Sequence, residues 1–510
     1  MELLDAATGT ASGLFAGLRA LLGPEGVITD PVERALAAAD ILPDAGAVPP
    51  DLVLRPRSTE QTAAAMRLLA EAGICVVPRG AGLSYTGGVV PRGPGVVIDT
   101  TALDSVTVAA EDLYAVVGAG CSWEKLAGAL KPHGLRPAPA PPISGSHSTV
   151  GGAAAQGVTG SEGFIGVAVV LADGSVVRTG GWTTPGGAPF WRHYGPDLTG
   201  LFIGDCGAFG VKTEIVVRLL PAGQRRFASF GFERGVDVVT TIGALQRGPG
   251  GKALAFDRAR AEDATGKLEL REAMRTAAAV AGNAGSIGKA LKGVIGLGRA
   301  KGDLAEVPWS LHVTAEGATA AMADAQLEAM RRICVEAGGA EMSSAVPQAL
   351  DARPFSVRGM VGQAGERWVP VHGTLPLSAA AGCLAAVEAY LDRRAAEIRG
   401  HGVRINWLVL SLGAHVTMEP MFYWRDALDP LHMKYLSERN RGRFGQFAAN
   451  PAARAFVGEL RAEVRDVMDG HGATHTQIGR FYVPPSGDTL HRLKAALDPQ
   501  GRMNPGVLGL

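Results

Sequence analysis

The segment Pro78-Arg79-Gly80-Ala81-Gly82-Leu83-Ser84-Tyr85-Thr86-Gly87-Gly88 constrains the fold more than any other part of the chain. It directly follows the strand-like run Ile74–Pro78. Its small positions let the backbone turn sharply and lie close to a ligand. Consecutive N–H groups in such a loop form a nest for anionic oxygens. The spacing is not Gly-x-Gly-x-x-Gly, because Tyr85 stands at the third Gly and no helical pattern follows. A Rossmann site is therefore disfavoured. Taken alone, the loop reads equally well as a plain glycine-rich turn.

Three further segments share this texture. The first is Pro139–Gly163, with Pro142, Ser144, Gly145, His147, Thr149, Val150, Gly151, Gly152, Ala154 and Gly157. The second is Gly195–Thr213, and the third is the tail Leu497–Gly506, which holds Asn504. Together they account for much of an unusual glycine content, 70 of 510 residues, against about 7% in average proteins.

The segments are set in a recognisable order of elements. Residues 1–45 read as a helical lead-in. Leu52–Arg55 is strand-like, Ser58 caps a helix to Ala72 with Gln61 completing a capping box, and Ile74–Pro78 closes a βαβ unit. From Val96 to Leu220 short strands dominate: Val96–Asp99, Tyr114–Val117, Val167–Leu171, Val176–Thr179 and Val211–Leu219. One helix near Ser122–Lys131 interrupts them. After Pro221, strand–helix blocks recur: Trp309–Ala315 with Ala318–Glu336, then Trp368–Gly373 with Ser378–Ile398. Ile405–Met418 reads as one long strand. Paired blocks of this kind build a sheet with helices on one face. The stretch 285–302 reads as a lid or a glycine-weakened helix.

Composition excludes some function classes. Lys+Arg and Asp+Glu balance at 49 each, so nothing marks a nucleic-acid partner. The five cysteines are scattered without a Cys-x-x-Cys spacing, which reads as a reducing compartment and no zinc knuckle. Acids rather than bases follow Met1, and no run of 18 apolar residues occurs, so a cytoplasmic chain without a transmembrane segment is expected.

In order and spacing, the four segments resemble the FAD-binding domain of the vanillyl-alcohol oxidase / p-cresol methylhydroxylase superfamily. Glycolate oxidase flavin subunits, D-lactate dehydrogenases and alkylglycerone-phosphate synthases belong to it. The resemblance covers residues 50–222 and the last dozen. It implies an α+β fold, a two-lobed FAD-binding domain of the p-cresol methylhydroxylase type (46–222). An α/β cap with an antiparallel sheet covered by helices follows (223–484), then a tail returning to the FAD domain (485–510). By the same resemblance Pro78, Arg79, Gly80, Ala81, Gly82, Leu83, Ser84, Gly87 and Gly88 cradle the pyrophosphate. Pro142, Ser144, Gly145, Thr149, Val150, Gly151, Gly152, Ala154 and Gly157 line the flavin and its phosphates, with Asn504 from the tail. Gly166, Val167 and Val169 touch the ribityl or adenine part. Relatives with a tethered flavin carry His where this chain has Leu83, and Cys121 does not map onto a second tether. Non-covalent FAD is expected.

A flavin accepts hydride at N5 while a base removes the hydroxyl proton. His475 is the first candidate for that base and His415 its partner, with Glu419 and Tyr423 nearby in sequence. Arg358 and Arg480 are candidate anchors for an anionic substrate, and Trp424 a wall beside it. For each histidine a hydrogen-bonded core role is the competing reading; for each arginine it is a plain surface position. Metal-dependent members of the superfamily read Gly-His-x-Gly-Asp-Gly-Asn-x-His. With its second His placed on His415, the first falls on Leu408, and a later Glu-His-Gly becomes Thr474-His475-Thr476. Two histidines without that carboxylate make a poor divalent site, so no metal is expected, although Glu419 could substitute. The leading reading is oxidation of a 2-hydroxy acid, with O2 or an electron-acceptor protein or quinone as oxidant and a homo-oligomeric state. An aromatic alcohol or phenol oxidase using O2 is the alternative. A flavin-less partner subunit is the reading from another class.

Overall fold

The computed structural model describes residues 9–42, 46–158, 161–265, 302–355, 361–411, 413–484 and 487–510. The chain divides into two units. One holds Met1–Pro221, Asp429–Lys434 and Thr476–Leu510; the other holds Ala222–Leu428 and Tyr435–His475.

The first unit begins with a small sheet in the order Val27–Ile28, Leu52–Leu54, Val96–Asp99, Val76–Arg79. Val96–Asp99 lies parallel to both of its neighbours, so it sits between the two strands of the expected βαβ unit. The intervening helix, Thr59–Glu71, starts where Ser58 Oγ accepts from the Gln61 N–H at 3.1 Å. The Gln61 side chain reaches back one residue further than a capping box requires, accepting from the Arg57 N–H at 2.8 Å. Its face of Ala65, Met66 and Leu69 packs on Leu54, Val76 and Ile98. Burial of Met66 and Leu69 contributes about 1.5–3 kcal/mol each. The glycine-rich loop leaves the edge strand of this sheet at Arg79.

A second sheet in the same unit is antiparallel along its main path: Val106–Ala109, Tyr114–Gly118, Val211–Pro221, Phe164–Val170, Val176–Arg178. Leu135–Pro137 pairs with the far end of Val211–Pro221. This is the strand-rich lobe read from the sequence.

The second unit is built on one antiparallel sheet, with Ala340–Met342 at one end. Gln224–Phe232, Trp309–Gly317, Lys252–Asp257, Arg404–Ser411, His415–Trp424 and Arg367–Pro370 follow in that order. The helices Gly235–Arg247, Ala320–Glu336, Ala380–Arg393 and Pro451–Gly470 belong to this unit. The long strand expected over Ile405–Met418 is a hairpin instead. Its arms pair from Arg404↔Tyr423 to Ser411↔Val416, and Gly413 turns the chain at φ +104°. A β-rich run with a single glycine carries no local mark that separates a turn from a bulge. Trp368–Gly373 is likewise split into Arg367–Pro370 and Gly373–Pro376, which pair with different parts of His415–Trp424. The 285–302 reading lies outside the described residues up to residue 301.

His312 sits in the middle of this sheet. Its Nδ1 lies 2.9 Å from Ser229 Oγ, and burial pushes its pKa down to about 3. The folded state keeps the ring neutral while the unfolded chain protonates it near its usual value. Stability is therefore present above about pH 6.5 and lost as pH falls towards 3. Urea unfolding of His312→Leu at pH 5 and 7 is expected to show a smaller acid loss than the wild type. Equal losses in both proteins would assign the acid sensitivity elsewhere.

Candidate flavin site

The glycine-rich loop is held from four directions within its unit. From the lead-in, Asp40 Oδ2 accepts from the Gly87 N–H at 2.8 Å and from Ser84 Oγ at 3.1 Å. The Ile41 N–H donates to the Ser84 carbonyl at 2.8 Å. From its own strand, the Arg79 guanidinium occupies the space that a Cβ on Gly82 would need, and Gly82 has φ +74°. Any side chain there would both strain the backbone and displace the arginine. From the second segment, Thr149 Oγ1 would stand 2.6 Å from a Cβ at Gly80, so the two loops touch at a glycine.

The tail makes the fourth contact. Asn504, at φ +43°, donates through Nδ2 to the Gly88 and Cys206 carbonyls, each at 2.8 Å. Arg480 donates from Nε to the Gly87 carbonyl at 3.2 Å, from Nη1 to Pro505 O at 2.8 Å and from Nη2 to Asn504 Oδ1 at 3.3 Å. Its own N–H donates to Thr86 O at 2.9 Å. The arginine expected to anchor substrate is thus bonded to the loop and the tail. Its guanidinium acts on two backbone carbonyls and on the Asn504 side-chain oxygen.

Thr149 caps the helix Val150–Gln156, its Oγ1 accepting from the Gly152 N–H at 3.0 Å. The Val150 and Gly151 N–H groups donate to Cys121 O and Ala119 O. These amides serve the fold, so this helix start contributes shape rather than donors. Its other end supports the third segment, where Gly204 N–H donates to Ala154 O and Cys206 N–H to Ala155 O, both at 2.8 Å. A Cβ on Gly157 would stand 3.2 Å from the Gly204 Cα, and both residues have positive φ. Pro142, Ser144 and Gly145 form a turn closed by Gly145 N–H to Pro142 O at 2.9 Å. The side chains of Val167 and Val169 are fully buried in the second sheet, and Gly166 packs on Val216, which makes these three part of the core.

Below the third segment lies a charge cluster that no motif announced. Asp205 and Lys212 form a fully buried ion pair, and Asp205 also accepts from the Gly207 and Phe209 N–H groups. Lys494 Nζ donates to Ala208 O at 2.7 Å and pairs with Asp498 at 2.8 Å. Asp498 in turn accepts from the Met503 N–H at 2.7 Å, directly before Asn504. Asp205 and Lys212 lie in Gly195–Thr213 and Asp498 in Leu497–Gly506, both singled out from the sequence for their glycines rather than their charges, and Lys494 lies outside them. Asp40 and Lys494 sit where an isolated polar residue carries no pattern.

The second unit carries the expected catalytic residues. His415, Thr417 and Glu419 share one face of their strand. Thr417 Oγ1 lies 3.1 Å from Thr374 Oγ1, and Glu419 pairs with His372 Nε2 at 3.0 Å. His475 is brought to the same patch, but both of its ring nitrogens are engaged. Nδ1 lies 2.6 Å from His372 O and Nε2 lies 2.7 Å from Asp469 Oδ1, and the side chain is 2% exposed. With a carbonyl and a carboxylate as partners, neither nitrogen is left to take a substrate proton. His475 joins the end of the helix Pro451–Gly470 to the His372 turn, a structural task. Tyr423 lies eight residues along the strand from His415, about 27 Å away at the usual rise. It is buried against Arg404, whose guanidinium stands 4.3 Å from the ring centroid, and burial raises its pKa. Trp424 is buried and donates to Asp426 at 3.1 Å. Neither the tyrosine nor the tryptophan offers a wall to a substrate. Arg358 lies outside the described residues. Among the described residues, no three His, Cys, Asp or Glu side chains converge as a metal site.

The positive-φ glycines, the abutting loops and the fourfold support of the first loop suit a dinucleotide, and comparison with known proteins agrees. Residues 50–180 match the FAD binding domain, and residues 470–508 match the C-terminal domain of FAD linked oxidases. The chain thus carries an FAD binding domain, and its C-terminal stretch resembles that of FAD linked oxidases. It is 30% identical over 225 residues to glycolate oxidase subunit GlcD of Bacillus subtilis, covering 42% of this chain and 46% of that one. It is 31% identical over 180 residues to D-lactate dehydrogenase of Archaeoglobus fulgidus, covering 33% and 39%. The matched stretch spans less than half the length of either relative. In fold, the chain is similar to p-cresol methylhydroxylase with substrate bound (TM-score 0.73, 16% identity, 99% of this chain and 98% of that one). It is also similar to 4-ethylphenol oxidase from Gulosibacter chungangensis in its isoeugenol complex (TM-score 0.71, 17% identity, 99% and 98%).

Proposed function

We propose that this chain oxidises the alcohol carbon of a 2-hydroxy acid, with FAD held without a covalent tether. What supports the substrate class is the similarity to a glycolate oxidase subunit and a D-lactate dehydrogenase over the flavin-binding part. Bound FAD supplies a hydride acceptor at N5. The first loop, held by Asp40, Arg480 and Asn504, positions the dinucleotide. Leu83 offers no tethering nitrogen, and burial pushes the Cys121 thiol up to about 11 and that of Cys206 to about 12, which leaves both poor nucleophiles. On the substrate side, His415 is the proton acceptor in this reading. It is half-buried on a strand face shared with Thr417 and Glu419, and Glu419 pairs with His372 further along that strand. The oxidant is O2 or an acceptor protein or quinone, and the setting is cytoplasmic. Among the described residues no helix is long and apolar enough to cross a membrane.

Phe422, Tyr423 and Trp424 are buried, which supports a 2-hydroxy acid over an aromatic alcohol in this reading. The test is a panel of 2-hydroxy acids and aromatic alcohols mixed with the yellow protein without O2, read as loss of flavin absorbance. Bleaching by the aromatic alcohols alone would overturn the substrate class. His415→Ala is expected to keep FAD and to slow flavin reduction by about 100-fold or more. His475→Ala is expected to lower thermal stability and to change the reduction rate little in protein that remains folded. The reverse pattern would return the base to His475.

A further inference from the structure

Asp40 lies ahead of the stretch that matches the FAD binding domain, which begins at residue 50. It is nevertheless fully buried against the flavin loop. Oδ2 takes the Gly87 N–H and the Ser84 hydroxyl, and Oδ1 takes the Leu42 N–H at 2.9 Å. The backbone closes the same contact a second time through Ile41 N–H to Ser84 O at 2.8 Å. Residues 40–42 therefore clasp the loop from Ser84 to Gly87. The Gly87 N–H, a natural phosphate donor in such a nest, is used by this carboxyl group instead. The charged group acting on Asp40 across the loop is Arg79, which lies over Gly82.

We propose that Asp40 is a positioning residue for the cofactor, holding the Ser84–Gly87 half of the loop in its FAD-binding shape and coupling FAD binding to a fractional uptake of a proton at this carboxyl. Burial pushes the Asp40 carboxyl up to about 7, while its hydrogen bonds and Arg79 pull in the opposite direction. A pyrophosphate adds negative charge to the loop that this carboxyl underpins, and like charge disfavours the ionised form further. By linkage, whatever raises the proton affinity of Asp40 is itself bound more tightly when Asp40 is protonated. FAD affinity should therefore fall as pH rises through about 7. The neutral carboxyl keeps a carbonyl oxygen for Gly87 and Ser84, so protonation does not undo the clasp.

This rests on the flavin reading, and titration of the apoprotein with FAD separates the two. Flavin fluorescence quenching and the FAD-dependent shift in melting temperature are read from pH 6 to 8.5 on wild type, Asp40→Asn and Asp40→Ala. Wild type that takes up no FAD would sink the flavin reading itself. If wild type binds FAD, its affinity is expected to fall severalfold across this range. Asp40→Asn, neutral and near-isosteric, should show a flat profile with affinity close to that of wild type at pH 6. Asp40→Ala, lacking the acceptor, should bind about tenfold more weakly at every pH. A pH-independent wild type, or Asp40→Asn with the wild-type slope, overturns the proton coupling. Wild-type affinity in folded Asp40→Ala overturns the positioning role. Should Asp40→Ala fail to fold, Ser84→Ala removes one of the same two bonds and is expected to weaken FAD binding severalfold; no weakening counts against the clasp.

Discussion

Replacing Asp205 by Ala is expected to cost the flavin-binding unit about 3–5 kcal/mol, the usual result of leaving a buried charge without its partner. Lys212 would be that charge, since its side chain is 4% exposed and its ammonium group meets Asp205. The Gly207 and Phe209 N–H groups would lose their acceptor at the same time. On the scale of a domain this size, the melting transition should fall by roughly 10 °C or more. Calorimetry on the wild type and on Asp205→Ala measures it directly. The double variant Asp205→Ala, Lys212→Met should recover much of the loss, because an apolar pair of similar volume carries no unpaired charge. A drop of only a degree or two in the single variant would mean that the ion pair is replaced by water.

Arg480→Ala separates two roles that the sequence cannot tell apart. An anchor for the substrate carboxylate would leave FAD bound and raise KM. In the structure the guanidinium is committed to Gly87, Pro505 and Asn504. Removing it takes away three charge-assisted bonds, of a kind that contributes about 1.5–3 kcal/mol net when well formed. FAD affinity is therefore expected to fall by about 100-fold. Titration of the apoprotein with FAD reads this without any substrate. An unchanged FAD affinity with a raised KM would restore the anchoring role.

These two variants mark the boundary of what was legible in the sequence. The loop from Pro78 to Gly88 announced itself through composition, since glycine adopts the left-handed backbone at Gly82 and Gly87 at the least cost. Periodicity located the helix after Ser58 and the strands around it. Asp40 and Asp205 gave no such signal. Each acts through a contact set by the tertiary fold, and a single carboxylate in a loop reads the same whether it is a turn residue, a cap or a buried anchor. Arg480 was visible as a cation, but two of its three partners are backbone carbonyls, which every residue possesses. His475 was visible as a titratable group, and only its two acceptors reveal that it is committed. The hairpin at Gly413 was missed because two β-rich arms separated by so short a turn have the pattern of one strand.

The last support of the flavin loop is made by Asn504, and it bears on the order in which the protein comes into being. The flavin-binding unit is left at Pro221 and is rejoined for good only at Thr476. A ribosome working at about 5–20 residues per second needs on the order of 10–50 seconds to cross the interval. Throughout that time the nascent first half carries the Pro78–Gly88 loop without Arg480 or Asn504. The second unit is complete at His475, so it is free to fold before its predecessor can be finished. Full-strength uptake of the cofactor is thereby deferred until the end of synthesis, and a chain cut short before residue 504 would emerge with its loop lacking the Asn504 support.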